Sequence, residues 1–218
     1  MSPLFYIANG LVMPPAMFFA GNYYRFRGKE INFKCLWISF CLLSVTVIVT
    51  GLQFVFPEII PALDRTREAL LAGEVWRLVT PLFIQPMGPW QCFFNGLFFI
   101  SFVPIGEHFY RRGLILIYFG TGIVGQIVNF YWEKPGGLGS AKGGSSTALY
   151  GVIGSLFIYI LIHRKTFPKG YIWLSVAGFL GATILCFFED GHAPSLLTGG
   201  LLGLILHRNT SEAKTAIV

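Results

Sequence analysis

Two residues of this chain could form a nucleophile and its base. Ser146 stands in the run Gly143-Gly144-Ser145-Ser146-Thr147-Ala148-Leu149-Tyr150, and His192 in Gly191-His192-Ala193-Pro194-Ser195. Each opens a separate apolar stretch. A serine hydroxyl is a weak nucleophile until an adjacent base takes its proton, and imidazole is the commonest such base. Tyr150 lies one helical turn beyond Ser146 and above the same face, where its ring can limit the orientation of an imidazole bonded to the serine. Each residue also has an ordinary reading. Ser146 can be a helix cap among glycines, and His192 a solvated loop side chain after Glu189-Asp190-Gly191. The choice rests on whether the elements carrying them bring both to one place.

Those elements belong to a membrane. Of 218 residues, 54% are hydrophobic and only 12% charged, and the mean hydropathy is +0.65. Soluble domains carry about a quarter charged residues. Here the apolar residues come in long blocks, so lipid is the solvent for most of the chain. The net charge of +6 comes from short basic clusters between those blocks, a distribution that orients helices in a bilayer and excludes a nucleic-acid-binding face. Cys35, Cys41, Cys92 and Cys186 fall in or beside apolar blocks without metal spacing, which reads as small apolar side chains. No metal site and no cofactor is expected.

Six blocks approach the ~20 apolar residues that a hydrocarbon core requires, near 36–56, 90–110, 113–132, 146–163, 171–188 and 192–207. The last is short and glycine-rich, which predicts burial among its neighbours. Residues 57–89, with Pro57, Pro61, Pro81, Pro86 and Pro89, form a connection too interrupted to span, with a short surface helix at Thr66 to Leu71. Residues 1–35 read as a cytoplasmic or interfacial N-terminal segment, retained because 1–24 lack a basic start and a cleavage site; the path of 1–24 stays open between the interface and partial insertion beside the bundle. Residues 36–207 form the membrane domain, and 208–218 a short cytoplasmic tail.

Arg25, Arg27, Lys29, Lys34, Arg111, Arg112, Arg164, Lys165, Lys169, Arg208 and Lys214 fall on one side of the six spans, eleven of the sixteen basic residues. That side, with both termini, is predicted to be cytoplasmic. His108, His163 and His207 each neighbour an arginine at a cytoplasmic end, where they add to the same bias. His192 alone shares the outer side with Ser146. Gly151 and Gly154 on the fourth span, and Ser195, Gly199 and Gly203 on the sixth, give both helices small-residue faces that allow close approach in lipid. The helices carrying Ser146 and His192 are therefore expected to touch.

At this point the residues resemble a family, the rhomboid intramembrane serine proteases, in their basic form of six spans. Gly144-Ser145-Ser146 is similar to the family's GxS, and Tyr150 to the aromatic that flanks its histidine. His192 followed by Gly199 resembles the histidine-to-glycine spacing on the sixth span. Trp76-Arg77 resembles the family's first-loop motif, Asn95 its second-span asparagine, and Glu107 before Gly113 its glutamate-containing stretch. The resemblance covers roughly residues 36–207 and implies an all-α bundle of six transmembrane helices, with a large first loop partly in the interface.

It implies a function as well. Ser146 and His192 would be a catalytic dyad, cutting single-span membrane proteins near their outer end, in segments able to leave the helical ladder. The backbone N–H of Ser146 and the Asn95 amide would hold the oxyanion, with Gln91 standing in for a family histidine. Trp76 and Arg77 would hold the first loop. Water would enter a cavity bordered by 135–145 and 189–194. Thr147 stands where the family has glycine, and Pro81 and Gln85 where its first loop has histidines. Pro194 fits only the first turn of a helix, which sets His192 at or before the helical start. The run Trp76 to Pro81 followed by Phe93-Phe94-Asn95 also resembles Derlin-type proteins, so the alternative is a protein that binds or moves membrane clients without cutting them. A transporter has no mid-span charge to support it. A compact chain without a transit peptide favours a bacterial cytoplasmic membrane over an internal eukaryotic one. The sequence does not indicate an oligomeric state.

Overall fold

A computed structural model of the chain describes residues 3–132 and 143–215, with side chains to residue 207. Among the described residues the fold is all-helical. Helices α1 (Pro3–Gly10) and α2 (Met13–Arg27) precede α3 (Trp37–Val55); two short helices, α4 (Ile59–Leu63) and α5 (Arg67–Leu71), then lead to α6 (Pro89–Tyr110). The chain continues through α7 (Gly113–Trp132), α8 (Ser146–Ile162), α9 (Lys169–Phe187) and α10 (His192–Thr215). The six expected spans correspond to α3 and α6 to α10. At 1.5 Å per residue, helices of 17 to 24 residues match a hydrocarbon core of about 30 Å. The Pro3–Glu30 segment, α3, α6, α7 and α9 are each long and apolar enough to cross a membrane.

The bundle is built around α8. Its residues from Thr147 to Phe157 are all buried, which is the pattern of a helix enclosed on every side. The shortest of the six expected spans is therefore the core of the molecule, with α7, α9, α10 and α6 packed about it. By contrast α3 is peripheral, and Phe40, Val47, Ile48 and Phe54 face outward. It is fastened by a buried carboxylate. Glu107, on the last turns of α6, accepts hydrogen bonds from the Ile38 and Ser39 backbone N–H groups at 3.0 and 2.7 Å and from the Ser39 hydroxyl at 2.6 Å. Those amides belong to the first turn of α3, which has no intrahelical acceptors for them, and an anion there is favoured by the helix dipole.

The connection between α3 and α6 is ordered by side chains that bond to the backbone. Thr66 caps the short helix expected there by accepting from Ala69 N at 3.2 Å. Arg77 pairs with Glu74 at 2.6 Å and donates to the carbonyls of Pro61 and Asp64 at 2.9 and 2.7 Å. One arginine thus ties the middle of the connection to its first part.

The N-terminal segment does not lie across the bundle surface. It packs along α9, with Phe5 against Phe188 at one end and Phe19 against Tyr171 at the other. Midway, Gly181 lets α9 approach Ala8, Leu11 and Val12. The alternation of small and aromatic residues in 3–27 suits close helix packing in lipid better than a one-sided interfacial face. At the other end of the chain, α10 continues as helix to Thr215, beyond the expected boundary at 207. Part of the 135–145 connection, residues 135–142, lies outside the described residues.

Candidate active site

Ser146 is the first residue of α8. Its backbone N–H and the next few therefore have no partner within the helix and carry the positive end of its dipole. The preceding Gly144 has φ +137°, a conformation that favours glycine. A Cβ there would also displace the Gln91 amide nitrogen from its place beside the loop. Gly144 N donates to Pro81 O at 2.7 Å, and Gln91 Nε2 donates to Gly143 O at 3.0 Å. The loop before the serine is thus held from two sides, by the first connection and by α6.

His192 is the first residue of α10. The turn that delivers it begins where α9 ends: Glu189 has φ +56°, Glu189 N donates to Cys186 O at 3.1 Å, and Asp190 N donates to Leu185 O at 3.2 Å. This is the six-to-one and five-to-two pairing that closes a helix through a left-handed residue. Asp190 then caps the next helix, its Oδ1 accepting from His192 N at 2.9 Å. Pro194 sits in the first turn of α10, where its missing N–H costs nothing. The ordinary side-chain roles of cap and turn thus place the imidazole.

The two side chains meet. His192 Nε2 lies 2.8 Å from Ser146 Oγ, and His192 Nδ1 lies 2.7 Å from Asp190 Oδ1. An ionised carboxylate only accepts, so Nδ1 carries the proton in the neutral ring and Nε2 is the acceptor of the Ser146 hydroxyl hydrogen. The Tyr150 ring packs against the imidazole at 4.6 Å between centroids, tilted by 36°. Ser146 and His192 remain partly exposed, while Tyr150 is buried. Burial tends to raise the Asp190 carboxyl, but the His192 charge and its two hydrogen bonds outweigh that and hold it below the usual carboxylate range.

The meeting depends on how closely α8 and α10 approach. A Cβ on Gly199 would collide with the Gly151 carbonyl, and one on Gly154 with the Leu196 carbonyl. Thr147, in the position where close approach was expected, is accommodated from the opposite side: Gly125 of α7 leaves room for its branched Cβ. Ser195 donates to Thr121 O at 3.1 Å, joining α10 to α7.

The other anticipated residues divide by location. Gln91 borders the serine loop. Asn95 is buried one turn further along α6, but donates to Gln85 Oε1 at 2.7 Å, and Gln85 Nε2 donates in turn to Ser145 Oγ at 3.2 Å. Asn95 is therefore linked to the site through the backbone neighbour of Ser146. Arg77 and Glu107 fasten the first connection and α3, as described above, and Trp76 is exposed. Gly199 acts through helix approach. A cavity of about 250 Å³ between α3 and α6 is lined by Thr46, Thr50, Gln85, Asn95 and Ser145 among others, without Ser146 or His192.

Sequence reasoning missed three contributors. Asp190 read only as part of a polar loop, although an aspartate two positions ahead of a helical histidine is a cap signature. Gln53 exchanges two hydrogen bonds with the Gln85 backbone, at 2.9 and 2.8 Å; no spacing rule links two glutamines 32 residues apart. Gly125 sat among other small residues of α7 with nothing to single it out.

Comparison with known proteins gives the same direction. A family model described as a rhomboid domain matches residues 72–209. The chain is 29% identical over 146 residues to "Rhomboid protease GluP" of Bacillus subtilis, covering 66% of this chain and 28% of that protein. It is 25% identical over 139 residues to "Putative rhomboid protease YdcA" of the same organism, covering 61% of this chain and 68% of that protein. It is 26% identical over 160 residues to "Rhomboid-like protease 2" of Toxoplasma gondii, covering 68% of this chain and 53% of that protein. No solved structure gives a significant match to the chain.

Proposed function

The chain belongs to the rhomboid family, and from that premise we propose that it is an intramembrane serine protease, with Ser146 as nucleophile and His192 as base. The observation that carries this reading is the 2.8 Å contact between Ser146 Oγ and His192 Nε2. Family membership and the apolar helices make it an integral membrane protein. The substrate class, the dyad and the topology are our inference.

In the proposed reaction the Ser146 oxygen bonds to the scissile carbonyl carbon as its proton passes to His192 Nε2. The imidazolium then returns that proton to the leaving amine, and water repeats the sequence on the acyl-enzyme. The backbone N–H groups at the start of α8, beginning with Ser146, are the natural oxyanion donors because nothing within the helix uses them. Gln91 stands beside them and Asn95 behind. Donors aimed where charge develops typically contribute the largest catalytic term, about 3–4 kcal/mol for one donor. A substrate must present an extended segment to Ser146, which favours single-span proteins with small or helix-breaking residues near that face.

We also propose that the N-terminal segment crosses the membrane before α3. Its contacts run the length of α9, and about 25 residues of helix suffice for the crossing. With basic residues marking the cytoplasmic face, α3 begins inside and α10 ends inside. The N-terminus then shares the outer face with Ser146, in place of the cytoplasmic position expected from a six-span count.

The test is labelling of the purified protein with a fluorophosphonate, together with cleavage of a model single-span substrate. Wild type should label and cleave, while Ser146→Ala and His192→Ala should do neither. Wild type that binds the substrate without labelling or cutting it would favour the client-binding alternative and overturn the protease reading.

A further inference from the structure

We infer that Asp190 is a positioning residue for His192, so that the site works as a chain of three groups, Asp190–His192–Ser146. This rests on the protease reading above. The sequence and the family resemblance supply only a serine and a histidine; the third member comes from the turn between α9 and α10.

Four observations carry the inference. The Asp190 carboxylate lies 2.7 Å from His192 Nδ1, on the side of the ring away from Ser146. The same oxygen accepts the His192 backbone N–H at 2.9 Å, so one atom fixes the main chain and the ring of the base together. The Asp190 side chain is only 13% exposed, against 35% for His192, so water competes poorly for this contact. The segment itself is held: the closing turn of α9 bonds Asp190 N to Leu185 O, and the opening turn of α10 bonds Ala193 N to Asp190 O at 3.0 Å. Gly191 lies so close to Asn129 of α7 that a Cβ there would collide with the Asn129 amide.

The consequence for chemistry is specific. An imidazole has two neutral forms, and only the one with its proton on Nδ1 leaves Nε2 free to take the serine proton. A carboxylate at Nδ1 selects that form and stabilises the imidazolium that appears when Ser146 attacks, without itself taking a proton. Tyr150 restrains the ring by packing, and Asp190 restrains it by a directed bond. The two are complementary, because stacking alone leaves the ring free to flip end for end.

Asp190 has a structural role that must be separated from this one, since it also caps α10. Asparagine and serine are comparable helix caps, but neither brings a negative charge to Nδ1. In the full-length protein in detergent micelles, Asp190→Asn and Asp190→Ser keep the cap and should fold, with only a small fall in melting temperature from the lost charge. Their kcat on a model single-span substrate should fall at least tenfold, with KM unchanged, and the fluorophosphonate labelling rate should fall in parallel. Asp190→Glu should recover part of the rate where Asn does not. If the Asn and Ser variants fold and keep wild-type kcat, Asp190 is a cap only and the inference is overturned.

A second measurement needs no turnover. In Ser146→Ala protein, the nitrogen-15 shifts of His192 at neutral pH should report the proton on Nδ1. A proton on Nε2 would overturn the positioning role even if every Asp190 variant failed to fold. Wild type that neither labels nor cleaves overturns the protease reading itself, a result that the tautomer measurement separates from a failure of the Asp190 contact.

Discussion

Thr147 packs its branched carbon against Gly125: a Cβ on that glycine would stand 3.0 Å from Thr147 Cβ and closer still to the Ser195 hydroxyl. The β-branched residue after the nucleophile is therefore matched by an absent side chain on α7. Gly125→Ala should push the start of α8 and the first turn of α10 apart, in the place where Ser146 and His192 must align. We expect fluorophosphonate labelling to drop at least tenfold, with a loss of about 1–3 kcal/mol from overpacking. Adding Ser195→Gly and Thr147→Gly should restore part of the labelling, and failure to restore any would argue against a direct steric path.

The same reasoning applies along the α8–α10 contact. Gly199→Ala sets a methyl group against the Gly151 carbonyl, backbone against which no rotamer can give way. It should lower the melting temperature in detergent and abolish labelling together. Gly96→Ala, on an open part of α6 with nothing near its Cβ, should do neither. Equal effects from the two variants would mean that helix approach is not what aligns the pair.

Much of this fold can be read in the sequence because lipid imposes a simple rule. Long apolar blocks broken by Arg111-Arg112 or by Arg164-Lys165 mark spans to within a few residues, and the histidines beside those clusters are set apart from His192 by side alone. The glycine spacings of 151, 154, 199 and 203 predict contact because close approach leaves a compositional trace. Longer-range polar pairing leaves none. Glu107 reaching the start of α3, Gln53 meeting Gln85, and Asp190 turning back onto the ring of His192 each depend on where a backbone turns. The path of the N-terminal helices is not legible for a related reason: Pro14-Pro15 and the break near Leu11 divide the segment into two pieces, each too short to cross alone.

The position of the N-terminus can be tested by accessibility. On a cysteine-free background, Leu4→Cys and Phe33→Cys each place a thiol at an exposed position, at opposite ends of the N-terminal helices. A membrane-impermeant maleimide applied to intact cells should label the first and spare the second. The reverse pattern would return the N-terminal segment to the cytoplasmic face.

Glu107 should matter for stability and not for the chemical step. Glu107→Ala leaves the Ile38 and Ser39 amides buried without their acceptor, at a cost of about 1–3 kcal/mol, and frees the start of α3. Glu107→Gln keeps one oxygen for those amides and should cost less. The ordering wild type, Gln, Ala in melting temperature is the expected result, with labelling per folded molecule unchanged. A loss of labelling without a loss of stability would mean that α3 contributes to the site more directly than its packing indicates.

The last prediction concerns acid. The groups that face Asp190 are His192 on α10, Tyr150 on α8 and Cys186 on α9, with Glu189 beside it in the chain. Burial opposes ionisation of the Asp190 carboxyl, but His192 and its hydrogen bonds win, so its pKa in the folded protein lies below that of the unfolded chain. A depressed carboxyl stabilises the fold fully above the unfolded value, about 3.9, and that contribution is lost as pH falls through the folded value. The small difference in melting temperature between wild type and Asp190→Asn should therefore be fully present at pH 5, where His192 is still charged, and shrink below pH 4. A difference that grows as pH falls would carry the opposite sign and would mean that His192 does not hold Asp190 ionised.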